Sequence, residues 1–574
     1  MEARKEAEKR GESLPTLRGP ESRGRAKVAL LSHDWSPGII RVGTSAQEVA
    51  DVSVYGSIVP RSRGGSSRKS DHLKTIIREK PNVLGVQIFD PNPRDSFEEI
   101  RTLRKNLPDS FIVVGGAEVT NSGVDVVAAS GADFGFIKAS EASFRRFLQV
   151  VGDAKRGELT REQWGELLDV EGLVFGYGGR WYINSTMKDR KDRPTIKADT
   201  PLAGPKTDWS LGSNLMLYPA GVGGDPLTGS EMGADFIAYT ASEGCDFNCT
   251  FCSQPGGGWA GKSPAEVLAE FDALAEFLGP RITRRISVGL GDNDFLHDPK
   301  RAMEILDGLK KKPYAKYLWL SFLTNARSLY RRGKDELNEE LIQCLAEKVD
   351  RGGGKSRPLA SVGFGLESLS DSRLRRLKAP HRRKHVFEVA RRLADLGVGQ
   401  MHFMIMSDVD LTPLEQMEDL YYMHQLKRIV PEFEPGKDTP NVSFRILESV
   451  NPHRGSNYYN YLRERFGEEG MWDHIRYFTL HGLGGNFRGT TGSKIRSPAV
   501  ADAFDKAVRE KEFTFSFEIF DAAQEATQVY IEHLRKLKKD GSARWEDETV
   551  SRRDLEKAIE FAVKNFGKRI IPRY

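Results

Sequence analysis

Short apolar runs alternate with amphipathic helical segments in the first part of the chain. The runs are continuous rather than interrupted by polar residues, which is typical of strands buried on both faces of a parallel sheet. They are Lys27–Ser32, Val83–Phe89, Phe111–Val114 and Asp133–Ile137. Helices are predicted at His72–Glu79, Asp95–Leu107, Gly123–Ser130 and Glu141–Val151. We therefore predict a doubly wound parallel α/β domain over residues 26–150, with its ligands at the carboxyl ends of the strands.

A second series of apolar runs lies between residues 235 and 447. The six runs are Phe236–Tyr239, Ile286–Leu290, Tyr317–Leu323, Ala360–Leu366, His402–Met406 and Val442–Leu447. Two of the helices between them open with a capping box that has Pro at the first helical position, at Ser263–Glu266 and at Thr412–Glu415. Six strand–helix units fall short of the eight that close a barrel.

Three further segments frame these two domains. Residues 1–25 are charged and have no apolar core, so we predict a disordered lead rather than a signal peptide. Residues 151–234 combine a β-hairpin at Gly172–Ile183 with Pro- and Gly-rich loops, and are predicted to be a structural connector. Residues 448–574 are predicted to be a mainly helical cap that sets substrate specificity. Within the first domain, the polar stretch Ser53–Ser70 is predicted to be a surface loop.

Composition and charge narrow the class of protein. Of the 574 residues, 39% are hydrophobic and 29% are charged, and the net charge is +5. So small a charge on so long a chain does not favour a nucleic-acid partner. No run of about 18 apolar residues occurs, so no membrane span is predicted. Three of the four cysteines are clustered, which fits a reducing cytoplasm and argues against a disulfide scaffold.

The three clustered cysteines indicate which chemistry the protein performs. Cys245, Cys249 and Cys252 lie within a single short loop directly after the first strand of the second series. Thiolate is the usual protein ligand for the iron of an iron–sulfur cluster. A structural zinc site would need a fourth ligand, and the remaining cysteine, Cys344, lies far downstream in a helical segment. Three ligands on a four-iron cluster leave one iron open to another group.

The C-x3-C-x2-C spacing, with Phe251 before the last cysteine, resembles the cluster loop of the radical S-adenosylmethionine (SAM) superfamily. The resemblance implies an open six-stranded partial barrel of β/α units, with a [4Fe–4S] cluster whose open iron chelates SAM. By position in that barrel, it implies further SAM contacts at the ends of the second, third and fourth strands. With Phe251, these are Gly289, Gly291, Asp292, Asn325, Glu367 and Ser368. Polar strand-end loops without a ligand are the alternative for each of them.

The first domain resembles the cobalamin-binding domain that precedes many radical SAM cores. The resemblance rests on the order Val83–Phe89, Val113–Gly116 and Ala132–Ile137, each run separated from the next by a helix. It implies that Gln87, Gly115, Gly116 and Glu141 contact a corrinoid. A flavodoxin-like scaffold that has lost its cofactor remains the alternative.

Two departures from that family concern the corrinoid loops. The Asp-x-His-x-x-Gly loop is absent, and the chain has Ser32-His-Asp-Trp-Ser-Pro-Gly38 in its place. We interpret His33 as a turn residue, so a corrinoid without a protein imidazole ligand is expected. Lys138-Ala-Ser-Glu141 stands where the family has Gly-Glu-Gly-Glu.

Together the two resemblances imply a cytoplasmic, cobalamin-dependent radical SAM methyltransferase of specialised metabolism. It would transfer a methyl group from methylcobalamin to carbon or phosphorus of a small molecule or peptide, and would draw electrons from a flavodoxin- or ferredoxin-type donor. The alternatives are another cobalamin-dependent radical reaction (cyclisation, ring contraction or oxygen insertion) and a non-catalytic corrinoid- or cluster-binding protein. No catalytic acid or base is assigned.

Overall fold

The computed structural model describes residues 25–32, 37–56, 66–88, 94–137, 140–184, 235–252, 258–279, 286–352, 356–405, 413–429, 442–447 and 456–465, with a few isolated residues outside these ranges. Most of the predicted lead, the second half of the predicted connector and nearly all of the predicted C-terminal cap lie outside the described residues, as does His33. Every helix among the described residues is too short or too polar to cross a lipid bilayer.

The first sheet has seven strands. They are β1 Ala26–Ser32, β2 Ala50–Gly56, β3 Val83–Gln87, β4 Phe111–Gly115, β5 Phe134–Phe136, β6 Leu173–Tyr177 and β7 Arg180–Ile183. Their order in the sheet is β2-β1-β3-β4-β5-β6-β7. The first five are parallel to one another, and the last two pair antiparallel. The predicted doubly wound parallel sheet is therefore confirmed.

Helices cover both faces of this sheet. They are α1 Pro37–Gln47, α2 Ser66–Glu79, α3 Arg94–Asn106, α4 Ala117–Ser130, α5 Glu141–Val151 and α6 Arg161–Leu167. Successive residues of a strand point to opposite faces, so Val28 and Leu30 join one apolar cluster while Ala29 and Leu31 join the other. Burial of each such leucine contributes about 1.5–3 kcal/mol, which explains why the runs are apolar throughout.

Two predictions for the first domain were wrong. The stretch Ser53–Ser70 is not all loop, because its first residues belong to β2 and its last to α2. The hairpin at Gly172–Ile183 does form, but it continues the first sheet: β6 pairs with β5, with Phe175 opposite Phe134. Phe175 is buried in the same cluster as Phe147 of α5. The hairpin therefore belongs to the core of the first sheet and not to a separate connector.

The second sheet is the predicted open barrel. Its strands are β8 Asp235–Tyr239, β11 Ile286–Leu290, β12 Leu318–Thr324, β15 Ala360–Glu367, β16 Gln400–Ile405 and β17 Val442–Leu447. All pair in parallel and in chain order, and in the described part of the chain β8 and β17 each have a partner on one side only. Two short antiparallel pairs accompany them, β9 Ser242–Cys245 with β10 Gly258–Gly261 and β13 Lys348–Asp350 with β14 Ser356–Pro358.

Helices follow the barrel strands and cover their outer side. They are α7 Pro264–Leu278, α8 Pro299–Lys310, α9 Glu339–Ala346, α10 Asp371–Arg376, α11 Arg383–Asp395 and α12 Pro413–Ile429. The predicted capping box at the start of α7 is confirmed. The Glu266 N–H donates to Ser263 Oγ at 3.3 Å, and the Ser263 N–H donates to Glu266 Oε2 at 2.7 Å. The carboxyl ends of all six barrel strands face the same edge, which is where the cysteine loop begins.

Candidate functional site

Two short antiparallel strands, β9 and β10, flank the cysteine loop, residues 245–252. We call β9 and β10 the cluster hairpin. Its strands pair with Cys245 opposite Gly258. Gly244 has a positive φ of 81°, and a Cβ atom there would overlap the carbonyl oxygen of Gly258. Only glycine satisfies both conditions, so the closure of the hairpin depends on Gly244.

Burial disfavours the ionised form of the cysteine thiols. Cys245, Cys249 and Cys252 are all half-buried, and the Cys252 N–H donates to the carbonyl of Cys249 at 3.2 Å. Burial raises the pKa of Cys245 to about 12, and burial together with the Glu367 carboxylate raises the pKa of Cys249 as well. Thiolates here therefore require a bound cation, as cluster iron would supply. Among the described residues no three His, Cys, Asp or Glu side chains converge on a single metal ion. A four-iron cluster instead places its three cysteines on three different irons.

Asp292 accepts hydrogen bonds from the residues where the cluster hairpin begins. It follows β11 and is only 1% exposed. Its carboxylate accepts the Ala241 N–H at 3.0 Å and the hydroxyl of Ser242. Burial raises the pKa of Asp292 to about 6. Both carboxylate oxygens thus face the hairpin, and a contact between Asp292 and the SAM amino group stays a prediction.

Arg301 of α8 also binds the cluster hairpin, through the residues that flank it. Its Nε donates to the carbonyl of Lys262 at 2.6 Å and its Nη2 to the carbonyl of Ala241 at 2.7 Å. The guanidinium also lies 5.4 Å from the centre of the Trp259 ring. One side chain therefore contacts the entry and the exit of the hairpin. Sequence reasoning missed Arg301, because an arginine in an amphipathic helix gives no pattern that distinguishes it.

Asn325 lies beside a second buried aspartate at the strand ends. Asp294 accepts hydrogen bonds from Thr324 Oγ1 at 2.6 Å and Ser328 Oγ at 2.7 Å, and Asn325 Nδ2 lies 3.3 Å from it. The side-chain oxygen of Asn325 accepts the N–H groups of Arg327 and Ser328. The structure thus ties the end of β12 to the end of β11. Gly289 and Gly291 lie at that same end, and Gly291 is exposed.

Glu367 has an unusual backbone at the end of β15. Its φ is +59°, and the pairing of β15 with β16 shifts register between Gly365 and Glu367. A non-glycine residue in this conformation is uncommon and is typical of functional sites. Burial raises the pKa of Glu367 to about 7, although Arg373 opposes this shift. After burial, the Glu367 carboxylate is the next cause of the raised pKa of Cys249.

Ser368 belongs to a buried charge network. Its hydroxyl donates to Asp419 at 2.7 Å. Arg373, fully buried, forms ion pairs at 2.7 Å with both Asp419 and Asp408. Asp408 lies in the segment that follows β16. That segment supplies a partner to Arg373, a role that the sequence did not reveal.

The predicted corrinoid residues lie at the carboxyl edge of the first sheet. β1 and β3 are neighbours there, which makes this edge the topological switch point of a 2-1-3-4-5 sheet. Ser32 Oγ at the end of β1 donates to Gln87 Oε1 at the end of β3, at 2.8 Å. A Cβ atom on Gly115 would meet no atom within 4 Å, whereas one on Gly116 would lie 2.5 Å from the carbonyl oxygen of Ile88. The backbone is therefore open at Gly115, as a flat ligand requires, whereas Gly116 packs closely against the backbone of Ile88.

Glu141 is the first residue of α5, the helix that follows β5. Its carboxylate pairs with Arg41 of α1, and its carbonyl accepts the hydroxyl of Ser45 at 3.1 Å. Phe251 lies half-buried within the cysteine loop. The structure thus brings Gln87, Gly115 and Gly116 together at one edge, while Glu141 is engaged with another helix.

The sequence of the barrel belongs to a known superfamily. Residues 239–420 match the model of the Radical SAM superfamily, so the chain carries a radical SAM domain. Such a domain implies a [4Fe–4S] cluster and SAM as cofactors. An uncharacterized methyltransferase of Pyrococcus horikoshii is 23% identical over 306 residues, covering 52% of this chain and 55% of the relative. The chain thus matches about half the length of that curated relative.

Solved structures extend the likeness to both domains. The apo form of the cobalamin-dependent SAM radical enzyme OxsB superposes with a TM-score of 0.57 at 14% identity, covering 94% of this chain and 84% of OxsB. The radical SAM methyltransferase TsrM of Kitasatospora setae, with tryptophan and a SAM analogue bound, gives a TM-score of 0.53 at 14% identity, covering 77% and 76%. At this identity the likeness establishes the fold, a doubly wound domain joined to a radical SAM barrel.

Proposed function

We propose that this protein is a cobalamin-dependent radical SAM methyltransferase acting on a small molecule or a peptide. The observation that carries the proposal is the combination of two sites in one fold. A 2-1-3-4-5 sheet has an open backbone at Gly115, beside its switch point, and the same chain carries a radical SAM domain with a three-cysteine loop. The methyltransferase relative and the TsrM fold support methyl transfer.

In this proposal the barrel residues hold the cluster and SAM. Cys245, Cys249 and Cys252 bind the cluster, and Asp292 and Arg301 fix the hairpin that presents them. When bound, the cluster and SAM supply a 5′-deoxyadenosyl radical, and the corrinoid supplies a methyl group. Polar groups of the strand ends orient SAM, and a half-buried carboxylate such as Glu367 suits its ribose hydroxyls. The remaining proposed SAM contacts are Phe251, Gly289, Gly291, Asn325 and Ser368.

The first domain would hold the corrinoid. Gly115 offers an open backbone surface, and the Ser32–Gln87 pair closes the edge beside it. Polar groups of this kind contact amide side arms, while the open backbone of Gly115 admits a flat ring. An external electron donor of the flavodoxin or ferredoxin type completes the proposal.

A second candidate is a cobalamin-dependent radical reaction in which the product keeps no added methyl group. One observation favours it: the OxsB likeness covers 94% of this chain, and the TsrM likeness covers 77%. The OxsB fold therefore accounts for more of the molecule. Both candidates need the same three cofactors, so the product distinguishes them.

The cofactor experiment comes first. The full chain is purified without oxygen, and iron, sulfide and cobalt are assayed after reconstitution with hydroxocobalamin. We expect four irons per chain and about one cobalt. Cys252→Ala should lose the cluster, whereas Cys344→Ala, the matched control outside the loop, should retain it. Iron without any retained cobalt would overturn both cobalamin-dependent candidates.

The methyl group is then followed with SAM that carries a deuterated methyl group and a strong reductant. For a methyltransferase we expect the extracted corrinoid to acquire the deuterated methyl group while S-adenosylhomocysteine accumulates. This readout needs no knowledge of the substrate. Formation of 5′-deoxyadenosine with no label on the corrinoid would favour the second candidate instead.

A further inference from the structure

Arg41 joins the two halves of the molecule. It lies on α1 of the first domain, and its side chain is 11% exposed. Its Nη2 pairs with Glu141, the first residue of α5, and its Nη1 donates to Glu243 Oε1 at 2.6 Å. Glu243 lies in β9, two residues before Cys245. A single guanidinium therefore contacts the first domain and the cluster hairpin, although Arg41 and Glu243 are 202 residues apart.

The surroundings of Arg41 fix its position. Ser45, one turn further along α1, donates its hydroxyl to the carbonyl of Glu141 at 3.1 Å. The same face of α1 thus holds both the side chain and the backbone at the start of α5. The guanidinium presents two nitrogens to two carboxylates, an arrangement that the single ammonium of lysine does not reproduce.

The charges around this bridge alternate in sign. Glu141 is 13% exposed and Glu243 is 26% exposed, so both carboxylates are largely shielded from water. Lys262, 5% exposed, forms its own ion pair with Glu270 at 2.7 Å. The charges of Arg41 and Glu141 also act on Lys262: Arg41 lowers its pKa and Glu141 raises it. Without Arg41, two poorly hydrated carboxylates would face each other at the domain boundary, and they would repel.

We propose that Arg41 is a positioning residue that couples the first sheet to the cluster hairpin by holding Glu141 and Glu243 on one guanidinium. The bridge joins the start of α5, beside the predicted corrinoid loop, to the strand that leads into the cysteines. Its use in catalysis rests on the proposed function. The coupling itself does not, and it is tested on protein that carries the cluster but neither SAM nor corrinoid.

Hydrogen–deuterium exchange on the full chain tests the coupling. In Arg41→Gln we expect amides of Ser242–Cys245 and of the first turn of α5 to exchange about tenfold faster, which corresponds to the loss of one charged hydrogen bond. Arg41→Lys should give an intermediate rate in one of the two segments. Arg156→Gln is the matched control, because Arg156 pairs with Asp133 inside the first domain and is 47% exposed. It should leave the hairpin unchanged.

The outcome that overturns the proposal is specific. Faster exchange at α5 with a hairpin that exchanges at the wild-type rate would make Arg41 an internal support of the first domain only. If Arg41→Gln does not yield folded protein, Glu243→Ala removes the cross-domain pair and leaves the pair with Glu141. We then expect faster exchange at α5 as well as in the hairpin, and a change confined to the hairpin would refute the coupling.

Discussion

The carboxylate of Glu367 folds back over Gly365, so that a Cβ atom at residue 365 would overlap its Oε1 atom. Glu367 holds this position with a positive φ at the bulge that ends β15. A left-handed backbone at a glutamate costs on the order of 1–3 kcal/mol and persists where surrounding contacts hold it. The glycine and the glutamate therefore act as one unit, in which Gly365 leaves the space that the carboxylate fills.

Gly365→Ala should displace that carboxylate without unfolding the barrel, because the overlapping atom is the end of a flexible side chain. We expect unchanged iron content and SAM binding about tenfold weaker, the value of one charge-assisted hydrogen bond. Equilibrium dialysis with labelled SAM measures the affinity. Gly165→Ala is the control, since a Cβ atom there meets nothing within 4 Å. Unchanged affinity in Gly365→Ala would remove Glu367 from the proposed SAM site.

Ser242→Ala tests whether Asp292 holds the cluster hairpin. The substitution removes the hydroxyl that donates to Asp292 and leaves a buried carboxylate oxygen with one partner fewer. We expect iron to be lost to a chelator several-fold faster, because an unsatisfied buried group costs about 1–3 kcal/mol. Ser328→Ala, which removes a comparable bond to Asp294, is the control. Equal rates of iron loss in the two variants would show that the hairpin does not depend on Asp292.

Arg373→Met should destabilise the barrel strongly. It leaves Asp408 and Asp419 buried without their cation, and breaking a buried pair in this way costs about 3–5 kcal/mol. Urea denaturation followed by circular dichroism measures the loss. Arg392→Met is the control, because Arg392 is 34% exposed and its partner Glu339 is 48% exposed, so neither charge is buried. A loss no greater than that of the control would mean that the buried network contributes little to stability.

Burial of the His381 imidazole should make the stability of the protein depend on pH. Burial lowers the pKa of His381 from 6.5 to about 4. The unfolded chain therefore binds a proton between these values that the folded chain does not, so stability is lost as the pH falls from about 6.5 toward 4. At pH 5 this histidine should cost about 2 kcal/mol relative to pH 7. In His381→Gln we expect the free energy of unfolding to fall by that much less between pH 7 and pH 5. An identical fall in both proteins would contradict the prediction.

Most of the barrel could be predicted because its signals are local. Each barrel strand is a continuous apolar run such as Ile286–Leu290, and the cysteine spacing defines its loop without any distant residue. β2 was missed because Asp51 and Ser53 interrupt its apolar residues, as an edge strand permits. α1 was missed as well, since Gly43, Thr44 and Ser45 are weak helix formers.

The supporting groups of the site could not be predicted, because their partners are distant in sequence. Arg373 and Asp419 are 46 residues apart, and Arg301 and Ala241 are 60 residues apart. Such pairs form only when tertiary structure brings their elements together. A single sequence carries no trace of them beyond the presence of charged residues in amphipathic helices.

The two hydrogen bonds that Ala241 forms with Asp292 and Arg301 have a consequence for how the protein matures. Its N–H is bound by a side chain that follows 51 residues later, and its carbonyl by one that follows 60 residues later. A ribosome therefore releases the three cysteines well before the groups that shape their loop. Iron delivered to the nascent chain would therefore meet cysteines whose loop is not yet held by Asp292 and Arg301.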